Sequence, residues 1–122
     1  MINYDDHNIF AKILRGEIPC KKIYEDEFVL SFYDINPQKK IHALVIPKGK
    51  YVDLDDFCKN ASPKEMVGMF KGIEIVSNKL GISLRSGKGY RALTNIGNDG
   101  GQEVPHLHFH LFGGEKIGKM VS

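Results

Sequence analysis

Residues 106 to 112 read His106-Leu107-His108-Phe109-His110-Leu111-Phe112. As a β-strand this stretch sends alternate side chains to opposite faces. Leu107, Phe109 and Leu111 then face a core, while His106, His108 and His110 line the other side. A strand does not need three imidazoles in a row for stability. Four of the five histidines, counting His42, sit in or next to strand-like segments. The rest of the chain reads as a scaffold for this row.

The scaffold reads as follows. Asn8 to Arg15 is a short helix: Asp6 or Asn8 can cap it, Ile9, Phe10, Ile13 and Leu14 recur at helical spacing, and Gly16 stops it. Pro19 forces an extended exit. Lys21–Tyr24 is a short strand, Glu25-Asp26-Glu27 a charged turn, and Phe28–Tyr33 a second strand rich in β-branched and aromatic residues. Asp34–Gln38 is a turn. Ile41–Ile46, apolar except for His42, is a third strand closed by Pro47. Consecutive strands with tight turns suggest an antiparallel meander. Ser62-Pro63-Lys64-Glu65 combines a capping box with proline at the first helical position. It opens a long helix on which Met66, Phe70, Ile73, Val76 and Leu80 form one face for core packing, with Gly81 at its end. Gly72 in its interior is compatible with a close contact. Tyr90–Asn95 is a fourth strand, Ile96–Gln102 a glycine-bearing loop, and Val104–Phe112 the fifth strand. Gly113-Gly114 breaks it, and the tail Glu115–Ser122 is polar with little pattern.

With 122 residues, 42% hydrophobic and 26% charged, the chain matches one ordinary domain spanning residues 1–122. A net charge of +2, with no run of more than two basic residues, is too mild for a nucleic-acid surface. The N-terminal stretch Met1–His7 is acidic and lacks the apolar run of a signal peptide, and no segment is apolar enough to span a membrane. Cys20 and Cys58 form no C-x-x-C pair and read as free thiols. A cytoplasmic protein is expected.

Three readings of the histidine row are open. Along a strand the step from i to i+2 is about 6.6–6.8 Å and from i to i+4 about 13 Å. An H-x-H pair could chelate zinc, but the third histidine could not easily join it, so ligands from elsewhere would be required. The row could also be a solvated face. Lastly, it could carry nucleophilic or acid–base chemistry: neutral imidazole is a competent nucleophile at pH 7, and neighbouring histidines resist charging together. The glycines of Asn95-Ile96-Gly97-Asn98-Asp99-Gly100-Gly101-Gln102 could bring backbone N–H groups to a phosphate, or simply form a turn. Next to the histidines they suggest attack on phosphorus. Asp34 could accept hydrogen bonds from ribose hydroxyls or start the turn before Asn36-Pro37. Phe10, Phe32 and Ile35 could line a base pocket or pack a core.

The row fits the pattern H-φ-H-φ-H-φ-φ, with φ hydrophobic, and so resembles the signature of the histidine triad (HIT) superfamily. Asn8-Ile9-Phe10, Glu17-Ile18-Pro19, Phe32-Tyr33-Asp34-Ile35, Pro37-Gln38, His42 to Lys48, Gly89-Tyr90-Arg91, Asn95 and Gly100-Gly101-Gln102 resemble its Hint-like branch. The resemblance covers residues 8 to 114. It implies an α+β fold with a five-stranded antiparallel sheet, one long and one short helix, and a homodimer whose sheets are joined. It implies hydrolysis of purine nucleoside 5′-phosphoramidates or acyl-nucleotides, with AMP, GMP or their phosphoramidates as ligands and no cofactor. His108 would attack the α-phosphorus, His110 would hydrogen-bond the phosphate or leaving group, and His106 and His42 would support them. Asn95, Gly101, Gln102 and Glu103 would hold the phosphate. Asp34 would hold the ribose, and Ile9, Phe10, Ile13, Phe32, Ile35 and Leu44 would enclose the base. Asn8 and Ala11 stand where some members carry zinc-binding cysteines, so no metal is expected. Glu103 replaces a serine found in some members, and Pro105 stands where an aromatic residue is common. The runner-up activities are dinucleoside polyphosphate hydrolysis of the Fhit-like type and a nucleotide-binding regulatory role with weak catalysis.

Overall fold

The computed structural model describes residues 3–121. Met1 and Ile2, at the head of the acidic N-terminal stretch, and Ser122, at the end of the tail, lie outside them. Helix α1 (Ile9–Leu14) begins where the Asn8 side chain accepts from the Ala11 N–H at 2.9 Å. Strands β1 (Lys22–Glu25), β2 (Val29–Tyr33) and β3 (Ile41–Pro47) follow, then helices α2 (Leu54–Asn60) and α3 (Pro63–Lys79), and strands β4 (Arg91–Leu93) and β5 (Phe109–Gly113).

The five strands form one antiparallel sheet in the order β1-β2-β3-β5-β4. The expected meander holds for β1, β2 and β3 and ends there. From β3 the chain leaves through α2 and α3, enters the sheet at its far edge as β4, and returns as β5 between β4 and β3. This insertion makes β5 central and hydrogen-bonded on both sides. Its register sets Leu44 opposite His110 and His42 opposite Phe112. Thus two histidines from distant parts of the chain meet on one face.

That face and its reverse have different covers. Val29, Ala43, Val45, Leu107 and Leu111 pack under α3 with Met69, Ile73 and Val76. Leu30, Phe32, Leu44 and Ile46 pack with Phe10 of α1. Helix α3 comes very close to β2 because two of its residues are glycines. A Cβ on Gly72 would lie 2.7 Å from Val29 Cγ2, and one on Gly68 would lie 2.4 Å from Phe28 Cγ. The reciprocal capping box of Ser62 and Glu65 is present.

Four expectations need correction. Phe70 does not face the core: it is 63% exposed, because the stripe that meets the sheet runs through Gly68, Met69, Gly72, Ile73 and Val76. There are three helices among the described residues, not two. Helix α2 is capped by Asp53, whose Oδ1 accepts from the Asp56 N–H at 2.8 Å, and it buries only Phe57. The His-rich strand starts at Phe109 rather than Val104, because Pro105 has no N–H for a ladder. Residues 104–106 instead make a tight turn, with the His106 N–H donating to Val104 O at 2.9 Å. Finally, β4 is three residues, Arg91–Leu93, rather than Tyr90–Asn95. The apolar side of the pattern survives the turn: Leu107, Phe109 and Leu111 all belong to the α3-side core.

Candidate active site

A cavity of about 830 Å³ opens on the α1 side of the sheet. Strand β5 contributes His110 and Phe112, with His108 just before it; β3 contributes Leu44, and α1 contributes Phe10. Asp34 enters from the turn after β2, and Asn95, Gly101 and Glu103 enter from the loop before the histidines.

Hydrogen bonding fixes which nitrogen of each imidazole carries the proton. The Nδ1 of His108 lies 2.7 Å from the carbonyl oxygen of His106. A carbonyl only accepts, so His108 Nδ1 is the donor and its lone pair sits on Nε2. The Nδ1 of His42 receives the Gln38 amide N–H at 3.2 Å, which puts the His42 proton on Nε2. That proton is directed to His110 Nδ1, 2.9 Å away, with Asp34 Oδ2 at 3.5 Å. His110 therefore accepts on Nδ1 and keeps its proton on Nε2. His106 is fully buried; its Nε2 donates to Pro47 O at 2.9 Å, and its Nδ1 accepts from the Tyr4 hydroxyl at 2.5 Å. Thus His108 offers a lone pair where His110 offers an N–H, with ring centroids 5.1 Å apart.

Burial keeps the rings neutral. It lowers His106 to about 4, with His108 adding to the effect. It also lowers His110 to about 4, helped by His108 and His42. Burial lowers His108 and His42 as well; the Asp34 charge partly offsets this at His42, and at His108 the bond to the His106 carbonyl does so first, followed by the Asp34 and Glu103 charges. At pH 7 all four are neutral and are donors or acceptors by tautomer rather than by charge.

The other expected site residues divide. His108, His110, Asp34, Asn95, Gly101, Glu103, Phe10 and Leu44 line the cavity. His42 and His106 stand behind it, each bonded to the ring of a lining histidine, His42 through its own ring and His106 through its carbonyl. Gln102 turns inward: its Nε2 donates to Val52 O at 2.7 Å and to Val104 O at 3.0 Å, which ties the loop down. Asn95 braces the same loop through Gly100 O at 2.6 Å. Asp34 is a turn residue with one carboxylate oxygen left facing the cavity. Its Oδ1 accepts from the Asn36 N–H at 2.8 Å, as a turn residue does, while its Oδ2 stands toward His42 and the cavity. Of the six residues expected to enclose the base, Phe10, Phe32, Leu44 and Ile13 pack in one cluster, of which Phe10 and Leu44 line the cavity. Phe32 sits one strand away, edge-on beneath Phe10, and Ile13 packs with it in that cluster. Ile35, in the turn, is 83% exposed, and Ile9 faces outward.

Several residues escaped the sequence reading. The Thr94 hydroxyl donates to His108 O at 2.6 Å and pins the backbone at that histidine. Ile117, Gly118, Lys119 and Met120 of the apparently patternless tail line the cavity, held by Arg91 through Gly118 O at 2.9 Å and Lys119 O at 3.0 Å. No local pattern announces them, because each acts through a long-range contact. Asp34, His42 and His110 offer ligand atoms within 4.8 Å of one another, the one such grouping found among the described residues. A cation there would need the His42 Nε2 lone pair, which the Gln38 N–H makes a protonated nitrogen. The donor set is wired as a hydrogen-bond relay.

A family model described as the HIT domain matches residues 15–117. An uncharacterised 13.2 kDa HIT-like protein of Azospirillum brasilense is 52% identical over 119 residues, covering 98% of this chain and 95% of that one. Among solved structures, a HIT family hydrolase from Clostridium thermocellum superposes with a TM-score of 0.84 at 36% identity, covering 97% of this chain and 99% of that one. A histidine triad nucleotide-binding protein from Candida albicans gives a TM-score of 0.74 at 32% identity, covering 85% and 72%. With the triad, the sheet order and these matches in agreement, the chain belongs to the HIT family.

Proposed function

We propose that this protein is a Hint-like nucleoside phosphoramidase that works through a nucleotidyl-histidine on His108. The observation that carries the reading is the pair of opposite tautomers in one cavity: a lone pair on His108 Nε2 beside an N–H on His110 Nε2. In this mechanism His108 Nε2 attacks the α-phosphorus of a purine nucleoside 5′-phosphoramidate. The bond from phosphorus to the leaving nitrogen breaks, and the nitrogen keeps the electron pair, takes a proton from solvent that the water of the second step later replaces, and departs as the amine. Water then cleaves the P–Nε2 bond and restores the lone pair. Over both steps water supplies the hydroxyl to phosphorus and one proton to the amine. The His106 carbonyl, already bonded to His108 Nδ1–H, stabilises the positive charge that forms on the ring. His110 Nε2–H donates to a phosphoryl oxygen or the leaving group. Asn95, Gly101 and Glu103 border the phosphate, Asp34 Oδ2 takes the ribose hydroxyls, and Phe10 and Leu44 meet the base.

The names of the Clostridium hydrolase and the Candida nucleotide-binding protein support the class. A second reading, cleavage of a dinucleoside polyphosphate, draws on Lys39, Arg91 and Lys119, cations that line the same cavity and suit an anionic leaving group. Steady-state hydrolysis of adenosine 5′-phosphoramidate beside a diadenosine polyphosphate decides between them. Faster turnover of the phosphoramidate is the predicted result, and faster turnover of the polyphosphate would overturn it.

A homodimer belongs to the same proposal. Strand β4 is an edge strand, paired only with β5 among the described residues, and Val67 and Phe70 of α3 are 58% and 63% exposed. Sedimentation is expected to give a dimer for the wild type and a monomer for Phe70→Asp; a wild-type monomer would contradict the assembly. No helix among the described residues is long and apolar enough to cross a membrane. With Cys20 and Cys58 unpaired, a cytoplasmic setting is part of the proposal.

A further inference from the structure

We infer that Tyr4 is a positioning residue for the reaction: its hydroxyl satisfies the buried Nδ1 of His106 and thereby holds the ring, and the backbone carbonyl that orients the His108 nucleophile, in place. The inference rests on the reading of His108 given above, but its hydrogen-bond half stands independently of any substrate. The chain of contacts is continuous. Tyr4 Oη–H donates to His106 Nδ1 at 2.5 Å. His106 Nε2–H donates to Pro47 O at 2.9 Å, and His106 O accepts from His108 Nδ1–H at 2.7 Å. His106 is fully buried, so both ring nitrogens need partners inside the protein. Pro47 O can only accept, which leaves Nδ1 needing a donor. Tyr4 supplies it from a segment that lies outside every helix and strand.

That segment is tied at several points. Lys50 pairs with Asp6 at 2.8 Å and lies 6.0 Å from the Tyr4 ring centroid. Arg15 Nη1 donates to Asp6 O at 2.9 Å, and Asn8 Nδ2 donates to Asp5 O at 2.7 Å. The Tyr4 ring meets His106 edge-on, with centroids 5.6 Å apart. Burial raises the Tyr4 hydroxyl above its ordinary value, so it remains a donor across the neutral range. Without the phenol, His106 would keep its packing and its bond to Pro47 O but leave a buried Nδ1 lone pair without a donor.

Tyr4→Phe removes the hydroxyl and keeps the ring. The first readout is the imidazole ¹⁵N spectrum and pH titration of labelled protein without ligand. Wild type should show His106 neutral, protonated on Nε2 and hydrogen-bonded at Nδ1. In Tyr4→Phe the Nδ1 resonance should move, and the His106 titration should rise by roughly half to one pH unit, since a bond to the neutral form has been lost. The second readout is kinetic: kcat for the phosphoramidate should fall up to about tenfold with KM little changed. A wild-type His106 protonated on Nδ1 overturns the inference without any variant, as do unchanged His106 resonances in Tyr4→Phe. A fall in kcat without the spectral change would mark a merely structural loss, and a spectral change without a fall in kcat would remove the positioning role. Failure of the functional reading shows separately, as a wild type that leaves the phosphoramidate intact while the His106 spectrum is as expected.

Discussion

Two imidazoles two residues apart have opposite roles because their backbone neighbours differ. His108 donates its Nδ1–H to a carbonyl and keeps a lone pair outward; His110 accepts a hydrogen bond at Nδ1 from a histidine on the next strand and keeps an N–H. Neither arrangement depends on charge, and burial reinforces both by disfavouring imidazolium. The kinetic consequence has a definite sign. In the proposed mechanism the nucleophile works when neutral, and burial lowers His108 from 6.5. The acid limb of kcat/KM is therefore expected below pH 6.5, with a flat profile from there to pH 8; a limb above 6.5 would show that His108 is not the neutral attacking group. The alternation H-x-H-x-H was legible in the sequence because a period of two needs no long-range information. The support behind it was not. Gln38, Pro47, Thr94 and Tyr4 have no spacing relation to the row, and the fold alone brings them there.

At the scale of elements, the strongest local signals were the capping box at Ser62 and Glu65, the β-branched and aromatic stretch of β2 and the apolar stretch of β3, and the structure keeps all three. Helix α2 was missed because seven residues with one buried side chain carry almost no period. Phe70 misled because it shares helical spacing with Met66 and Ile73, while the true contact stripe uses glycines that a hydrophobic count ignores. The glycines supply a test. Alanine in a helix interior ordinarily gains roughly 1 kcal/mol over glycine. At Gly72 the added methyl would meet Val29, which is fully buried and cannot swing away. Gly72→Ala is therefore expected to cost about 1–3 kcal/mol, read as a lower urea midpoint. A gain in stability would mean that α3 does not lie this close to the sheet.

For the whole molecule, the sheet order was the least legible feature. Nothing local distinguishes a meander from a chain that leaves after β3 and returns two strands away, yet that return places His110 opposite Leu44 and within reach of His42. Burying neutral histidines also makes global stability depend on pH. His106 and His110 bind protons near 6.5 when unfolded and at about 4 when folded. Between those values the unfolded state holds more protons, so stability falls as pH falls through that window and levels off with respect to these groups below about 4. For fully buried His106 the gap from 6.5 to about 4 amounts to up to about 3 kcal/mol at about 1.36 kcal/mol per pH unit. Urea unfolding across pH 7 to 4 should show the decline. In His106→Asn the decline should be shallower, and an equal slope in both would contradict the assignment.

The proposed mechanism requires that His108 become covalently nucleotidylated. The most direct measurement is the mass of the protein quenched in denaturant within the first turnover on adenosine 5′-phosphoramidate, beside His108→Ala. A fraction of wild type is expected to be heavier by one adenylyl group, mapped to the peptide bearing His108, with neither label nor turnover in the variant. Turnover by His108→Ala, or an adenylyl group on any other residue, would contradict it.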